Sequence, residues 1–300
     1  MILVVGASGR LGGLVTRALL AAGRPVRVLD RGSGSSGGLA DAGAEVVPGD
    51  LKDPDSLRAA CAGVDAVLTT ANSALRGGAD TVETVDRQGN IALIDAAVDA
   101  GVTRFVLTSV LGASAQSPAP LVRAKAEAEE HLRATGLTWT ILQPNIFMDV
   151  WFPAVLGPAL AGGPVTLVGE GRRRHSFVAM RDVAAYAVSA LTTGLADRET
   201  LAIGGAEPVS WRDLIALVEQ QVGHPVEVRF AADVVPPETW DCTRCGQPGG
   251  LDREKPPGRM RSEPYKSHLA YVKERRSDED GAAILAEALA KVRQRRGRSE

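Results

Sequence analysis

Gly6, Gly9 and Gly12 fall three residues apart in GASGRLG, directly after an apolar run and at the head of a helical stretch. Glycine at such positions allows a tight turn, lets the backbone approach a pyrophosphate and brings helix close to strand. The helix N-terminus then offers N–H groups to the anion. Asp30 ends the second apolar run, 24 residues after Gly6. This spacing predicts a dinucleotide site in which Ala7, Ser8, Arg10 and Leu11 complete the loop around the phosphates. The Asp30 carboxylate would bind the adenosine ribose hydroxyls and repel a 2′-phosphate, which favours NAD. The adjacent Arg31 could hold that phosphate with its planar fork, which favours NADP. The two signals oppose each other, and the small residues 32–36 suit either cofactor, so NAD and NADP both stay open. Asp50 and Leu51 are expected beside the adenine, with a turn or N-cap role as the alternative for Asp50.

The elements that must hold these groups follow from the period of the apolar residues. Short β-branched runs at 2–6, 26–30, 44–49, 66–71, 104–109 and 138–144 alternate with helical stretches at 11–22, 53–62, 82–100 and 119–135. Alternation of this kind predicts an α/β fold, a Rossmann-type doubly wound parallel sheet over 1–144. Gly23, Gly63, Gly101 and Gly136 stand where left-handed helix ends are needed. A smaller C-terminal substrate lobe, intertwined with the first domain, is expected over 145–235, with strands at 164–169 and 175–180 and helices at 182–192 and 211–223. Asp182 would cap the first of these helices. A Pro/Gly-rich loop is expected over 236–264, then a C-terminal helical segment and basic tail over 265–300.

Composition excludes several classes. The chain has 300 residues, 45% hydrophobic and 23% charged, with a formal net charge of -2. Fibrous and disordered classes do not fit, and nucleic-acid binding is not expected without a positive field. The positively charged tail reads as a solvated face. No run of about 18 apolar residues occurs and no export signal is visible, so a cytoplasmic protein without a membrane segment is expected. Three cysteines cannot form a disulfide framework. Cys242-x-x-Cys245 is half of a zinc knuckle without a second half, so it is read as a surface pair and no metal is expected.

Four blocks carry a resemblance: GASGRLGG, GDLKDPDSL, DRQGNIALIDAAVDAGVTRFVLTS and KAEAEEHLRATGLTWTILQP. In order and spacing they resemble the NmrA-like, or atypical, branch of the short-chain dehydrogenase/reductase superfamily, over about residues 1–230. The resemblance implies an NAD(P)H-binding Rossmann domain. It also implies either reduction of quinones, enones, ketones or similar small molecules, or a redox-sensing role without turnover; a homodimer or a protein partner is left open. The superfamily's reductases use Ser, Tyr and Lys, with Tyr four residues before Lys on one helix. Ser109 and Lys125 occupy two of these places, but Leu121 stands in the tyrosine's, and no other tyrosine has a lysine four residues on. Lys125 is expected to contact the nicotinamide ribose with or without proton transfer, and Ser109 either the substrate or only backbone. Asp86 lies where extended relatives carry an Asn of the proton relay. Thr69, Thr70 and Ala71 should line the cofactor cleft, and Pro144 and Asn145 the nicotinamide. Phe147, Trp151 and Phe152 are either the walls of a pocket for a flat substrate or plain core. His175 is read as structural.

Overall fold

A computed structural model of the protein describes residues 1–32, 36–74 and 77–231. The Pro/Gly-rich segment, Cys242, Cys245 and the expected final helix lie outside the described residues. The chain divides into two compact units. One comprises Met1–Asn145 and Val178–Gly205; the other begins with Ile146–Phe177 and resumes at Ala206.

In chain order the first unit contains β1 (Ile2–Val5), α1 (Arg10–Ala21), β2 (Val26–Asp30), α2 (Gly37–Ala40), β3 (Glu45–Pro48), α3 (Pro54–Cys61) and β4 (Ala66–Thr69). A π-helix (Val82–Gly89) then runs into α4 (Asn90–Asp99), followed by β5 (Arg104–Thr108), α5 (Pro120–Ala134) and β6 (Thr138–Pro144). After the second unit's first segment the chain returns with α7 (Met180–Thr192) and β9 (Glu199–Ile203). The strands form one parallel sheet in the order β3-β2-β1-β4-β5-β6-β9. The first six follow the Rossmann order, in which ligands bind beyond the carboxyl ends of the strands where the order reverses, here between β1 and β4. All four residues of β1 are buried, as expected of a parallel strand covered on both faces. Leu3, Leu57, Leu93, Phe105 and Ile141 sit at the heart of the core on one face, and α1 packs on α7.

The sheet has a seventh strand that the sequence reading lacks. Residues 178–205 were expected in the smaller lobe, but α7 and β9 close the edge of the first unit by pairing β9 with β6 from Thr140↔Glu199 to Pro144↔Ile203. The expected helix over 82–100 is one run with a change of winding. Gly23, Gly63 and Gly101 take positive φ as expected, whereas Gly136 does not, because α5 ends at an extended Thr135. Asp182 stands in the first turn of α7, and the capping position belongs to Ala179.

The second unit contains α6 (Met148–Leu160), β7 (Val165–Val168), β8 (Arg174–His175), β10 (Val209–Ser210), α8 (Trp211–Val222) and β11 (Val228–Ala231). β11 runs parallel to β7, and β10 antiparallel to β8. Helix α8 begins with a reciprocal capping box between Ser210 and Asp213 and ends on a left-handed Gly223. Of the expected 175–180 strand, His175 lies in β8 and Val178 in a single bridge; Met180 already belongs to α7. Among the described residues no helix is long and apolar enough to cross a membrane, and no cluster of His, Cys, Asp and Glu is placed to hold a metal.

Candidate functional site

Most of the chemistry-bearing residues of the first unit stand at the carboxyl ends of its strands, while Lys125 lies on α5 and Asp86 on the π-helix. The glycine loop follows β1, Arg31 follows β2, Asp50, Leu51 and Lys52 follow β3, Thr70 and Ala71 follow β4, and Ser109 follows β5. Val5, Gly6, Ser8, Arg31, Asp50, Leu51, Lys52 and Ala71 line one cleft, closed on a side by Leu29 and Val85. Gly6 has φ +87°, and a Cβ there would meet Thr70 Oγ1 at 2.7 Å and Ala71 N at 2.9 Å. A Cβ on Gly12 would fall 2.3 Å from the Gly6 carbonyl oxygen. No side chain caps the N-terminus of α1 at Gly9, and no acid stands in its first turn. Backbone N–H groups and the positive end of the helix dipole are therefore left for an anion, and the cradle fits a dinucleotide pyrophosphate. Ala7 and Leu11 are buried and anchor the loop, while Ser8 and Arg10 are exposed.

At one end of the cleft four charges meet. The Lys52 ammonium donates to both oxygens of Asp50 at 2.8 Å and to Asp80 at 2.6 Å, and Arg31 pairs with the other oxygen of Asp80. Lys52 N–H also donates to Asp50 at 2.8 Å, which makes Asp50 a turn residue; the N-cap of α3 is Asp53. Burial pushes Asp50 toward a higher pKa, but the hydrogen bonds from Lys52 outweigh it and hold the carboxyl below its ordinary value. Asp80 is held low first by Lys52 and then, against a burial effect, by Arg31. Asp30 ends β2 half-buried, and its carbonyl accepts from Gly49 N–H at 2.9 Å.

Beyond the Ala71 wall of the cleft the charges are buried. Lys125 is 3% exposed and donates to the Ala71 carbonyl at 3.3 Å, and its ammonium lies 3.2 Å from Asp86 Oδ1. Asp86, on the π-helix, is wholly buried, and its Oδ2 accepts from Ser73 N–H at 2.9 Å and Ser73 O–H at 2.6 Å. Thr69 is engaged elsewhere: its hydroxyl donates to Asn90 Oδ1 at 2.9 Å and accepts from Ala71 N–H at 3.3 Å. The Thr70 hydroxyl reaches back to the Val5 and Gly6 carbonyls at 3.4 and 3.3 Å. The Ser109 and Thr108 hydroxyls are buried with no hydrogen-bond partner among the described residues. Ser109 N–H donates to Leu142 O at 2.7 Å, and Pro144 O accepts from Leu111 N–H at 3.1 Å. Asn145 N–H bonds Ile203 O at 2.8 Å.

The three aromatics named as pocket walls belong to the second unit. Phe152 packs edge-on against Phe177 and Trp211, with centroids 5.0 and 6.1 Å away, in that unit's core. Trp151 is half-exposed on α6, and Phe147 is its N-cap. His175 packs edge-on against Phe177. Sequence reasoning missed Lys52, Ser73, Asp80 and Asn90. Lys52 was within reach, two residues after Asp50 in GDLKDPDSL, whereas the partnership of Ser73 with Asp86 depends on winding that no periodicity reveals.

Comparison with known proteins agrees with this geometry. The chain is 32% identical to an NAD(P)H azoreductase from Xenophilus azovorans over 252 residues, covering 84% of this chain and 83% of the relative. It is 30% identical to the photosystem II assembly factor Ycf39 of Guillardia theta over 227 residues, covering 76% and 72%. The Citrobacter sp. triphenylmethane reductase, solved in complex with NADP(H), superposes with a TM-score of 0.66 at 27% identity, covering 77% of this chain and 79% of that one. Residues 212–293 match a second, shorter profile, described as an RNA polymerase-binding protein. The profile of the NAD(P)H-binding family matches residues 6–194, more than half of the chain, and includes the glycine loop, Asp30, Lys52, Asp86, Ser109 and Lys125. With its Rossmann order and its cleft at the β1–β4 switch, this chain belongs to the NAD(P)H-binding family.

Proposed function

We propose that the chain is a cytoplasmic NADPH-dependent reductase of a small conjugated or carbonyl compound such as a quinone, enone or ketone. The observation that carries this reading is the cleft itself, with two cations, Arg31 and Lys52, at one end, and Lys125 behind the Ala71 wall at the other. Bound NADPH supplies the hydride. Gly6, Gly9 and Gly12 admit its pyrophosphate, held by the loop from Ala7 to Leu11. Asp30 takes the ribose, Asp50 and Leu51 flank the adenine, and Arg31 and Lys52 hold the 2′-phosphate in place of Asp80. Thr70, Ala71, Pro144 and Asn145 border the nicotinamide. The buried Ser109 hydroxyl, without a partner among the described residues, would orient a substrate oxygen that reaches it, and solvent protonates the product where the tyrosine is replaced by Leu121. The names of the azoreductase and the triphenylmethane reductase support both reaction class and cofactor. Titration of purified full-length chain with NADPH and NADH, followed at 340 nm over a panel of quinones, enones, azo dyes and ketones, tests the reading. NADPH binding with turnover of one class is expected; failure to bind either dinucleotide rejects it.

A second reading is favoured by one observation, the match of residues 212–293 to an RNA polymerase-binding profile. On this reading the cofactor unit reports the NAD(P)H state to RNA polymerase through the C-terminal third of the chain. Co-elution of the full chain with purified RNA polymerase, measured with and without NADPH, separates the two readings. Polymerase binding that changes with NADPH, in a protein without turnover, selects the second.

A further inference from the structure

A carboxylate without solvent is costly unless its charge and lone pairs are matched. Asp86 meets that requirement through segments far apart in sequence. Ser73 saturates Oδ2 with two hydrogen bonds, and Lys125 faces Oδ1 at 3.2 Å. That approach is ionic and not aligned as a hydrogen bond. Serine thus fixes the carboxylate, while the ammonium is attracted to it and tethered to Ala71 O, keeping N–H groups to spare.

The wide winding of the π-helix is what delivers Asp86 to this place. Asn90 N–H bonds the Val85 carbonyl five residues back, and the Asn90 side chain donates to Val85 O at 3.0 Å and Asp86 O at 3.3 Å. Its own carbonyl oxygen is held by Thr69 from the end of β4. π-Helical winding recurs at functional sites, and here the Val85 and Asp86 carbonyls at the end of the eight-residue π-helix both receive donors from Asn90.

We propose that Asp86 is the positioning residue of the site, fixed by Ser73 and holding the Lys125 ammonium charged and directed behind Ala71, where it serves a cofactor-binding protein that lacks the superfamily's tyrosine. The proposal rests on the cofactor reading above. Burial pushes the Lys125 pKa below its ordinary value, and the charge of Asp86 is the largest influence opposing it, with Glu129 adding to Asp86. Glu129, on the same helix, is committed to Arg133 and Gln143. Arg87 with Glu127 and His131 with Asp95 link α5 to its neighbours farther out toward solvent. Asp86 is therefore the one carboxylate paired directly with Lys125 among the described residues.

The test uses full-length protein labelled with [13Cε]lysine. The chain contains six lysines, so the Lys125 signal is identified by its loss in Lys125→Met. In Asp86→Asn its titration midpoint is expected to fall by about one pH unit or more, and in Ser73→Ala by less in the same direction. NADPH dissociation constants from nucleotide fluorescence should then rise with pH above that midpoint in Asp86→Asn and return toward the wild-type value below it. A midpoint unchanged in both variants, or a loss of affinity equal at every pH, overturns the proposal. Ser73→Ala keeps the test decisive should Asp86→Asn not fold. Absence of NADPH binding by the wild type would remove the cofactor reading, while the midpoint judges the pair independently.

Discussion

The charged end of the first unit's cleft and the buried end behind its Ala71 wall are built from the same chemical pair, a cation against an aspartate, in opposite solvent. Arg31, Lys52, Asp50 and Asp80 meet where water reaches them, the Lys52 side chain being 29% and that of Arg31 37% exposed. Lys125 and Asp86 meet where it does not. Exposed pairs contribute about 0–1 kcal/mol each and are screened by salt, so their partners are exchangeable. A buried pair gains little over apolar packing, yet losing one partner strands a charge at a cost of about 3–5 kcal/mol. The contrast separates an end where an incoming phosphate can replace a carboxylate from an end where the cation is part of the fold.

The largest test of that contrast is stability. Asp86→Ala should lose about 3 kcal/mol or more in chemical denaturation, against less than about 1 kcal/mol for Asp80→Ala. Equal losses would break the comparison. Next, Gly12→Ala forces a methyl group onto the Gly6 carbonyl, and the resulting strain of about 1–3 kcal/mol should weaken NADPH binding about ten- to a hundredfold in a fluorescence titration. Removal of one charge-assisted hydrogen bond to phosphate costs about 1.5–3 kcal/mol, so Arg31→Ala or Lys52→Ala should weaken NADPH about tenfold or more and leave NADH unchanged. Equal weakening of both cofactors would place the two cations away from the 2′-phosphate. The smallest effect is expected for Asp80→Asn, which releases both cations from their present partner. NADPH should bind a few-fold tighter at low ionic strength, the gain vanishing as salt approaches 1 M.

How far each end could be read from sequence follows the same division. The glycine loop is local: three glycines, a strand before and a helix after are contiguous, and the structure keeps every one in its expected place. Ser109 and Lys125 were picked out because the neighbouring blocks resemble a family pattern. The buried pair was not, because Asp86 reaches Lys125 only after a parallel crossover brings the π-helix beside α5, and because Ser73 lies in a stretch without periodicity. The same limit explains the missed seventh strand. ETLAI at 199–203 is too short and too weakly alternating to stand out, and its partner β6 is nearly sixty residues earlier.

That late strand has a consequence for synthesis. The apolar β6 leaves the ribosome as the open margin of a six-strand sheet, and the chain then makes the 32 residues of Ile146–Phe177 before α7 and β9 are available to cover it. Until residue 203 has emerged, the row of backbone donors and acceptors on β6 can pair with another nascent chain. Conditions that slow translation across 146–203 should therefore lower the soluble yield of this protein more than a pause of equal length elsewhere.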